Sequence, residues 1–338
     1  MEYASISGTD IRASRVCIGT WAMGGWMWGG SDEKEAIAAI RAGLEKGLNF
    51  IDTAPVYGFG VSEEIVGKAI SGIAREKVFI STKAGIEWKG GRLSRNASRE
   101  RILKEIDDSL RRLMTDYIDI YHVHWPDPLV PMEETARAME ELLSLGKIRA
   151  IGVSNFGVRQ MDEFRKTAPI HASQPPYNLF ERGTEKDILP YCRQNGIAVL
   201  AYGALCRGLL SGRMGPDTVF EGDDLRKIDP KFQQPLYGQY LKTVDELDRF
   251  ARSRYQKGVL ELAIRWVLDQ GADFALWGMR SPRQLDRVER TMGWSLDAEA
   301  KREIEEILKR NIPSPTGPEF MAPPRAPETV AASKGENR

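Results

Sequence analysis

Residues 197–205 read IAVLAYGAL. Apolar side chains follow one another almost without interruption, where a strand with one wet face would alternate. That pattern belongs to a strand covered on both faces, as in a parallel sheet flanked by helices. Seven more β-rich runs lie outward from it: VCIGTW (16–21), NFIDTA (49–54), KVFISTK (77–83), YIDIYHVHW (117–125), IRAIGVSN (148–155), IHASQ (170–174) and DFALWGM (273–279).

Between these runs lie amphipathic stretches. SDEKEAIAAIRAGLEKG (31–47) opens on a Ser-Asp pair, repeats apolar residues at Ile37, Ile40 and Leu44, and closes at Gly47, the punctuation of a helix. Comparable spans are 98–113, 132–147, 158–167, 184–196 and a longer helix-rich stretch from 238 to 270. Most strand starts recur at intervals of roughly 20 to 40 residues, one βα unit each, with a much longer interval before the eighth. Eight units predict an α/β protein built as a closed (β/α)8 TIM barrel rather than an open doubly wound sheet. Residues 1–15 read as a hairpin closing the barrel floor, with SGTD as its turn, and 214–235 as a loop insertion over one barrel end. An extra C-terminal helix (296–311) precedes a proline-bearing irregular tail. The barrel is expected to fill residues 1–325 as one domain, with 326–338 disordered.

The 338 residues carry 48 basic and 48 acidic side chains, so the formal net charge is zero. No general electrostatic footprint for nucleic acid or an anionic membrane is present. Cys17, Cys192 and Cys206 are few and widely spaced, which fits a reducing compartment better than a disulfide framework. No signal peptide precedes the first strand, and no run approaches the roughly 20 apolar residues of a membrane helix. A cytoplasmic protein is expected; nothing assigns an oligomeric state.

Active sites of (β/α)8 barrels lie at the C-terminal ends of the strands. There the sequence sets Asp52, Tyr57, Lys83, His124, Ser154, Asn155, Gln174, Tyr202 and Arg280. The first four suit reduction of a carbonyl. Tyr57 supplies the proton once a neighbouring cation, Lys83, lowers its pKa; Asp52 holds Lys83; His124 orients the carbonyl oxygen. None of them is a hydride source, so a reduced nicotinamide is required. His122 and His124 could instead form a metal pair, but zinc needs three or four ligands and only His171 remains. Alternation puts both imidazoles on one side of the strand at different depths, with His122 a hydrogen-bonded core residue. In YGFGVSEE the glycines Gly58 and Gly60 miss the dinucleotide fingerprint by its third glycine and read as turn residues.

The segments FIDTAPVYGFGVSEEIVGKAI, FISTK, YHVHWPDP, IGVSNF and AYGALCRGLLSG resemble those of the aldo-keto reductases, over residues 2 to about 325. WGMRSPRQL and GPEFMAPP are similar to motifs of a bacterial branch. The resemblance implies Asp52, Tyr57, Lys83 and His124 as the catalytic positions. It implies Ser154, Asn155 and Gln174 at the nicotinamide carboxamide, and Tyr202 stacked on the ring. Gly203, Ala204, Leu205, Arg207 and Leu210 match the pyrophosphate-side loop, and Arg280 and Gln284 the adenosine end, where a cation favours NADP(H). Gly19, Thr20, Trp21 and Gly278 complete the implied cofactor set. Val288 stands where asparagine is often found. Trp21, Trp28 and Trp125 are expected to wall the substrate, a small-molecule carbonyl compound. The activity implied is NADPH-dependent, reversible reduction of aldehydes or ketones; the alternative is an NADP(H)-binding regulatory subunit without catalysis.

Overall fold

The computed structural model describes residues 1–89 and 92–325. The chain opens with an antiparallel hairpin, β1 (Tyr3–Ser5) and β2 (Arg12–Ser14). The barrel strands β3 (Val16–Gly19), β4 (Phe50–Asp52) and β5 (Phe79–Ala84) follow. A second hairpin, β6 (Ile86–Lys89) with β7 (Arg92–Arg95), interrupts them. The barrel is completed by β8 (Ile118–Val123), β9 (Ile148–Ser154), β10 (Ala172–Gln174), β11 (Ala198–Ala201) and β12 (Phe274–Gly278). Its eight strands are parallel, and β12 pairs with β3 to close the ring. Each barrel strand falls within one of the eight expected runs, save that β5 runs one residue further, to Ala84.

Strand parity sorts the side chains. Ile18, Ile51 and Ile80 align in register and point outward under the helices, whereas Phe50, Phe79 and Phe274 belong to the interior cluster. Phe50 and Phe274 meet edge to face at 5.2 Å. Ile6 and Ile11 of the first hairpin's loop are fully buried in the same cluster, so the hairpin seals the floor. Each such aliphatic side chain withdrawn from water contributes about 1.5–3 kcal/mol. Two strand positions nearer the mouth the register carries polar groups: Gly19, Asp52 and Ser81 lie side by side, as do Lys83, His122 and Gly152.

The surrounding helices are α1 (Glu33–Glu45), α2 (Val61–Ile70), α3 (Arg99–Leu113), α4 (Met132–Ser144), α5 (Val158–Arg165), α6 (Ile188–Asn195), α7 (Leu236–Tyr255), α8 (Val259–Asp269) and α9 (Ala298–Asn311). Caps confirm the sequence punctuation. Asp32 accepts from the amides of Lys34 and Glu35, and Ser98 from that of Arg101. The stretch 238–270 is two helices, because Gln256 takes a left-handed conformation (φ 54°) and ends α7. The start of 184–196 is a single 3-10 turn, Gly183–Glu185, and α6 begins at Ile188 with Pro190 in its first turn, where proline is tolerated. Helix α2 and the β6–β7 hairpin have no counterpart in the expected elements. Residues 214–235 form irregular loop with short 3-10 turns at Leu225–Lys227 and Pro230–Phe232. The tail is irregular yet anchored: Thr316 and Gly317 carbonyls accept from the Lys231 ammonium, and the Arg95 amide donates to the Pro324 carbonyl. The tail segment expected to be disordered, 326–338, lies outside the described residues. Among the described residues no helix is long and apolar enough to cross a membrane.

Candidate active site

Asp52 ends β4 and Lys83 lies near the end of β5, and strand pairing brings them together. The Lys83 Nζ donates to Asp52 Oδ2 at 2.7 Å and to the Thr53 carbonyl at 2.8 Å. The other Asp52 oxygen accepts from Ser81 Oγ at 3.0 Å and Gln174 Nε2 at 2.8 Å. Thr20 Oγ1 donates to the Asp52 carbonyl at 2.9 Å. Lys83 and Asp52 are thus a buried ion pair in which both carboxylate oxygens accept further or mutual hydrogen bonds, the condition under which such a pair is stable.

Tyr57 stands in the loop after β4. Trp21 stacks on it at 5.8 Å, the edge of His124 meets it at 6.0 Å, and the Lys83 ammonium is 4.9 Å from its ring centroid. The loop is locked by the closest backbone approach in the site. A Cβ on Gly58 (φ +67°) would come within 2.1 Å of the Gly24 carbonyl oxygen, so only glycine fits there. Gly60 begins α2 in a left-handed conformation. Both glycines therefore serve the turn.

Burial raises the Tyr57 pKa; the Lys83 charge pulls it down and the Asp52 charge pushes it up, and the net direction is upward. The expected lowering by Lys83 is real as a contribution but is outweighed by burial. Lys83 is the converse: burial favours its neutral form, yet Asp52 and Tyr57 hold its pKa above the ordinary value. Burial and the Lys83 charge keep His124 well below its usual range. At neutral pH the site holds a protonated phenol, an ammonium paired to a carboxylate, and a neutral imidazole.

His122 lies deeper, fully buried, its pKa pushed down to about 3 by burial and then by Lys83. It is not the hydrogen-bonded core residue expected, for neither ring nitrogen meets a partner among the described residues. Its ring packs over Gly152, where a Cβ would sit 2.2 Å from Nδ1. No three His, Cys, Asp or Glu side chains among the described residues gather as metal ligands.

Ser154, Asn155, Gln174 and Tyr202 form one network. Ser154 Oγ donates to the Gln174 carbonyl at 2.8 Å, Asn155 Nδ2 to Ser154 Oγ and to the His124 carbonyl at 3.0 Å each, and Tyr202 Oη to Asn155 Oδ1 at 2.9 Å. Beside it opens a cavity of about 300 Å³. Gly19, Thr20, Trp21, Asp52, Tyr57, Tyr202, Gly203, Leu205, Arg207, Gly278, Arg280 and Gln284 border it, with Trp28 from the expected substrate wall. Ala204 and Leu210 do not; they are buried in the packing behind the loop. Trp125 stands apart from the cavity, under the Arg95 guanidinium at 5.0 Å.

Two implied cofactor arginines are already engaged. Arg207 is buried, paired with Glu181 and, at 2.6 Å, with Asp229. Arg280 donates to the carbonyls of Trp28 (3.0 Å) and Gly30 (3.3 Å). Sequence reasoning missed Gly208, Ser211, Arg213, Met214, Arg226 and Met321, which also border the cavity. Arg213 and Arg226 sit close before and within the 214–235 insertion, where the only signal is arginines in a polar stretch. That insertion does cover one barrel end. Asp223 accepts from the amides of Met27 at 2.8 Å and Gly29 at 3.1 Å, latching it to the loop after β3. The cavity suits a dinucleotide. It offers the Tyr202 ring, loop backbone at Gly203, Gly208 and Gly278, nearby guanidinium groups, and a buried donor with no partner among the described residues, Trp28 Nε1.

Residues 15–309 match the sequence model of the Aldo/keto reductase family. The aldo-keto reductase YhdN of Bacillus subtilis is 58% identical, over 97% of this chain and 100% of its own. The NADH-specific methylglyoxal reductase of Escherichia coli is 38% identical, over 92% and 100%. Among solved structures, the glycerol dehydrogenase AKR11B4 from Gluconobacter oxydans superposes with a TM-score of 0.86 at 51% identity, covering 95% of this chain and 99% of that one.

Proposed function

The chain belongs to the aldo/keto reductase family, and on that footing we propose that it reversibly reduces a small aldehyde or ketone to the alcohol with NADP(H). The observation that carries the reading is the convergence of Asp52, Lys83, Tyr57 and His124 at the barrel mouth beside the cavity. Tyr57 is the proton donor to the carbonyl oxygen, and its raised pKa keeps the proton in place until charge develops there. Lys83 stabilises the phenolate left behind. Asp52 fixes Lys83, and the neutral His124 positions the carbonyl by a hydrogen bond. When bound, the reduced nicotinamide supplies the hydride. Tyr202, Gly203, Gly278, Arg280 and Gln284 are the residues proposed to hold the cofactor along the cavity, with Ser154, Asn155 and Gln174 at the nicotinamide amide. The latter three would exchange bonds among themselves for bonds to that amide.

A methylglyoxal reductase and a glycerol dehydrogenase among the similar proteins support a small, oxygenated substrate. Arg213 and Arg280, the latter's guanidinium bonded only to carbonyls among the described residues, support the phosphorylated cofactor over NADH, while Arg226 is already paired with Asp224 at 2.6 Å. Following the near-ultraviolet absorbance of NADPH and of NADH against a panel of aldehydes and dicarbonyls tests the reading. Aldehyde-dependent oxidation with a lower KM for NADPH is expected. A protein that binds NADPH and oxidises it with no carbonyl compound would have another function.

A further inference from the structure

The β6–β7 hairpin overhangs the substrate side of the mouth. Register pairs Ile86 with Arg95 and Trp88 with Leu93, so these four side chains share one face. Ile86 and Leu93 on that face join the cluster that packs Tyr57 and Trp125, and Trp88 meets Phe59 at 5.7 Å. Arg95 is its only charge. Its guanidinium lies over Trp125 at 5.0 Å and donates to two backbone carbonyls, Pro126 at 2.9 Å and Pro323 at 3.1 Å. Among the described residues no carboxylate pairs with it. The nearest acid, Asp127, spends its oxygens on the amides of Ala97 and Leu129. A second arginine is brought alongside, because Arg325 of the tail bridges to Arg95. Arg325 likewise has no side-chain partner among the described residues.

A half-buried cation on an apolar face, beside another cation and with no carboxylate bonded to it among the described residues, is costly unless an anion completes it. Burial, and then the Arg325 charge, depress the Arg95 pKa. Trp125, under Arg95, packs in the same cluster as Tyr57, which links this pair of arginines to the substrate side of the mouth. Among the described residues the Arg95 Nη2 meets no acceptor, so it can donate a charge-assisted hydrogen bond to an oxyanion.

We propose that Arg95 and Arg325, over Trp125, form a subsite for an anionic group on the substrate, so that preferred substrates are short carbonyl compounds ending in a carboxylate or phosphate. This rests on the carbonyl-reductase reading above. The test compares kcat/KM with NADPH for 4-oxobutanoate against its methyl ester, and for glyceraldehyde 3-phosphate against glyceraldehyde, in the wild type, Arg95→Gln and Arg325→Gln. The wild type should favour the anion over its neutral counterpart by about tenfold in at least one of the two pairs, one strong charge-assisted hydrogen bond. The carboxylate and phosphate arms identify which anion is taken. Each variant should bring that ratio towards one, through KM, and added salt should do the same in the wild type. A wild-type ratio near one in both pairs, or ratios unchanged by both substitutions, would overturn the subsite while leaving carbonyl reduction intact. No turnover of any of the four compounds would instead sink the reductase reading.

Discussion

Lys83 and Lys231 are both fully buried, and they illustrate opposite uses of a buried ammonium. Lys231 is enclosed by acceptors: Glu181 Oε1 at 2.9 Å, Asp229 Oδ1 at 3.4 Å, and the carbonyls of Thr316 and Gly317 at 3.0 and 3.1 Å. Arg207 completes a cluster of two cations and two anions. Arg207 borders the cavity, but its Nε and Nη2 are spent on Asp229 and Glu181. The Lys83 ammonium has one carboxylate, one carbonyl, and then the Tyr57 ring. Its remaining interaction is with Tyr57, the group proposed to give up its proton. A buried charge saturated by partners holds elements together; one left leaning on a titratable neighbour at a cavity can do chemistry.

Exchanging the two lysines for methionine should separate these roles. Lys83→Met, like Tyr57→Phe, is expected to lower kcat by about 10²–10⁴-fold, the range of a lost acid–base partner, while fluorescence titration still registers NADPH binding. Retained turnover in Tyr57→Phe would refute its assignment as proton donor. Lys231→Met should instead act on stability. It leaves Glu181 and Asp229 sharing a single cation, a loss of about 3 kcal/mol or more for a broken buried pair. Denaturant unfolding measures this. A Lys231→Met protein as stable as wild type would mean the cluster relaxes without cost.

Glu105 on α3 gives an intermediate case, buried but paired with Arg101 at 2.9 Å and with the Gly85 amide at 2.9 Å. Burial is the largest influence and raises its pKa from 4.5 to about 7. The native state therefore holds this proton more tightly than the unfolded chain. Its contribution is fully present below pH 4.5 and is lost as pH rises through about 7. Glu105→Gln should flatten the fall in Tm across that window. An identical pH profile in wild type and variant would show that Glu105 does not titrate there.

The barrel was legible because its strands are short, apolar and bounded by helix caps, and because strand ends are where barrel chemistry sits. IAVLAYGAL, with both faces buried, could not be mistaken for a half-wet strand. Asp52, Tyr57, Lys83 and His124 were legible as residue types at those ends. What escaped depends on contacts distant in sequence. Arg207 reads as a phosphate ligand until Glu181 and Asp229, 26 and 22 residues away, occupy it. Hairpin β6–β7 escaped because IEWK and RLSR are short and carry charged residues, unlike the apolar runs of the barrel. The direction of the Tyr57 pKa escaped because it is a balance between burial and one cation, and burial has no signature in a loop sequence.

The smallest effect concerns the aromatic wall, where the two expected halves part company. Trp21 and Trp28 meet edge to face at 5.4 Å and both border the cavity, whereas Trp125 lies under Arg95 away from it. Trp28 is further held by the Arg226 guanidinium at 5.3 Å, a cation–π contact that ties it to the covering loop. Trp28→Ala should therefore raise KM for aromatic aldehydes by about tenfold, the contribution of one aromatic contact with its buried area. Trp125→Ala should leave aromatic aldehydes less affected and act mainly on anionic ones, since it removes the surface that supports Arg95. Measuring KM for benzaldehyde and for 4-oxobutanoate in the two variants gives a crossed pattern if the wall is divided in this way. Equal changes in both substrates for both variants would mean that the three tryptophans act as one surface.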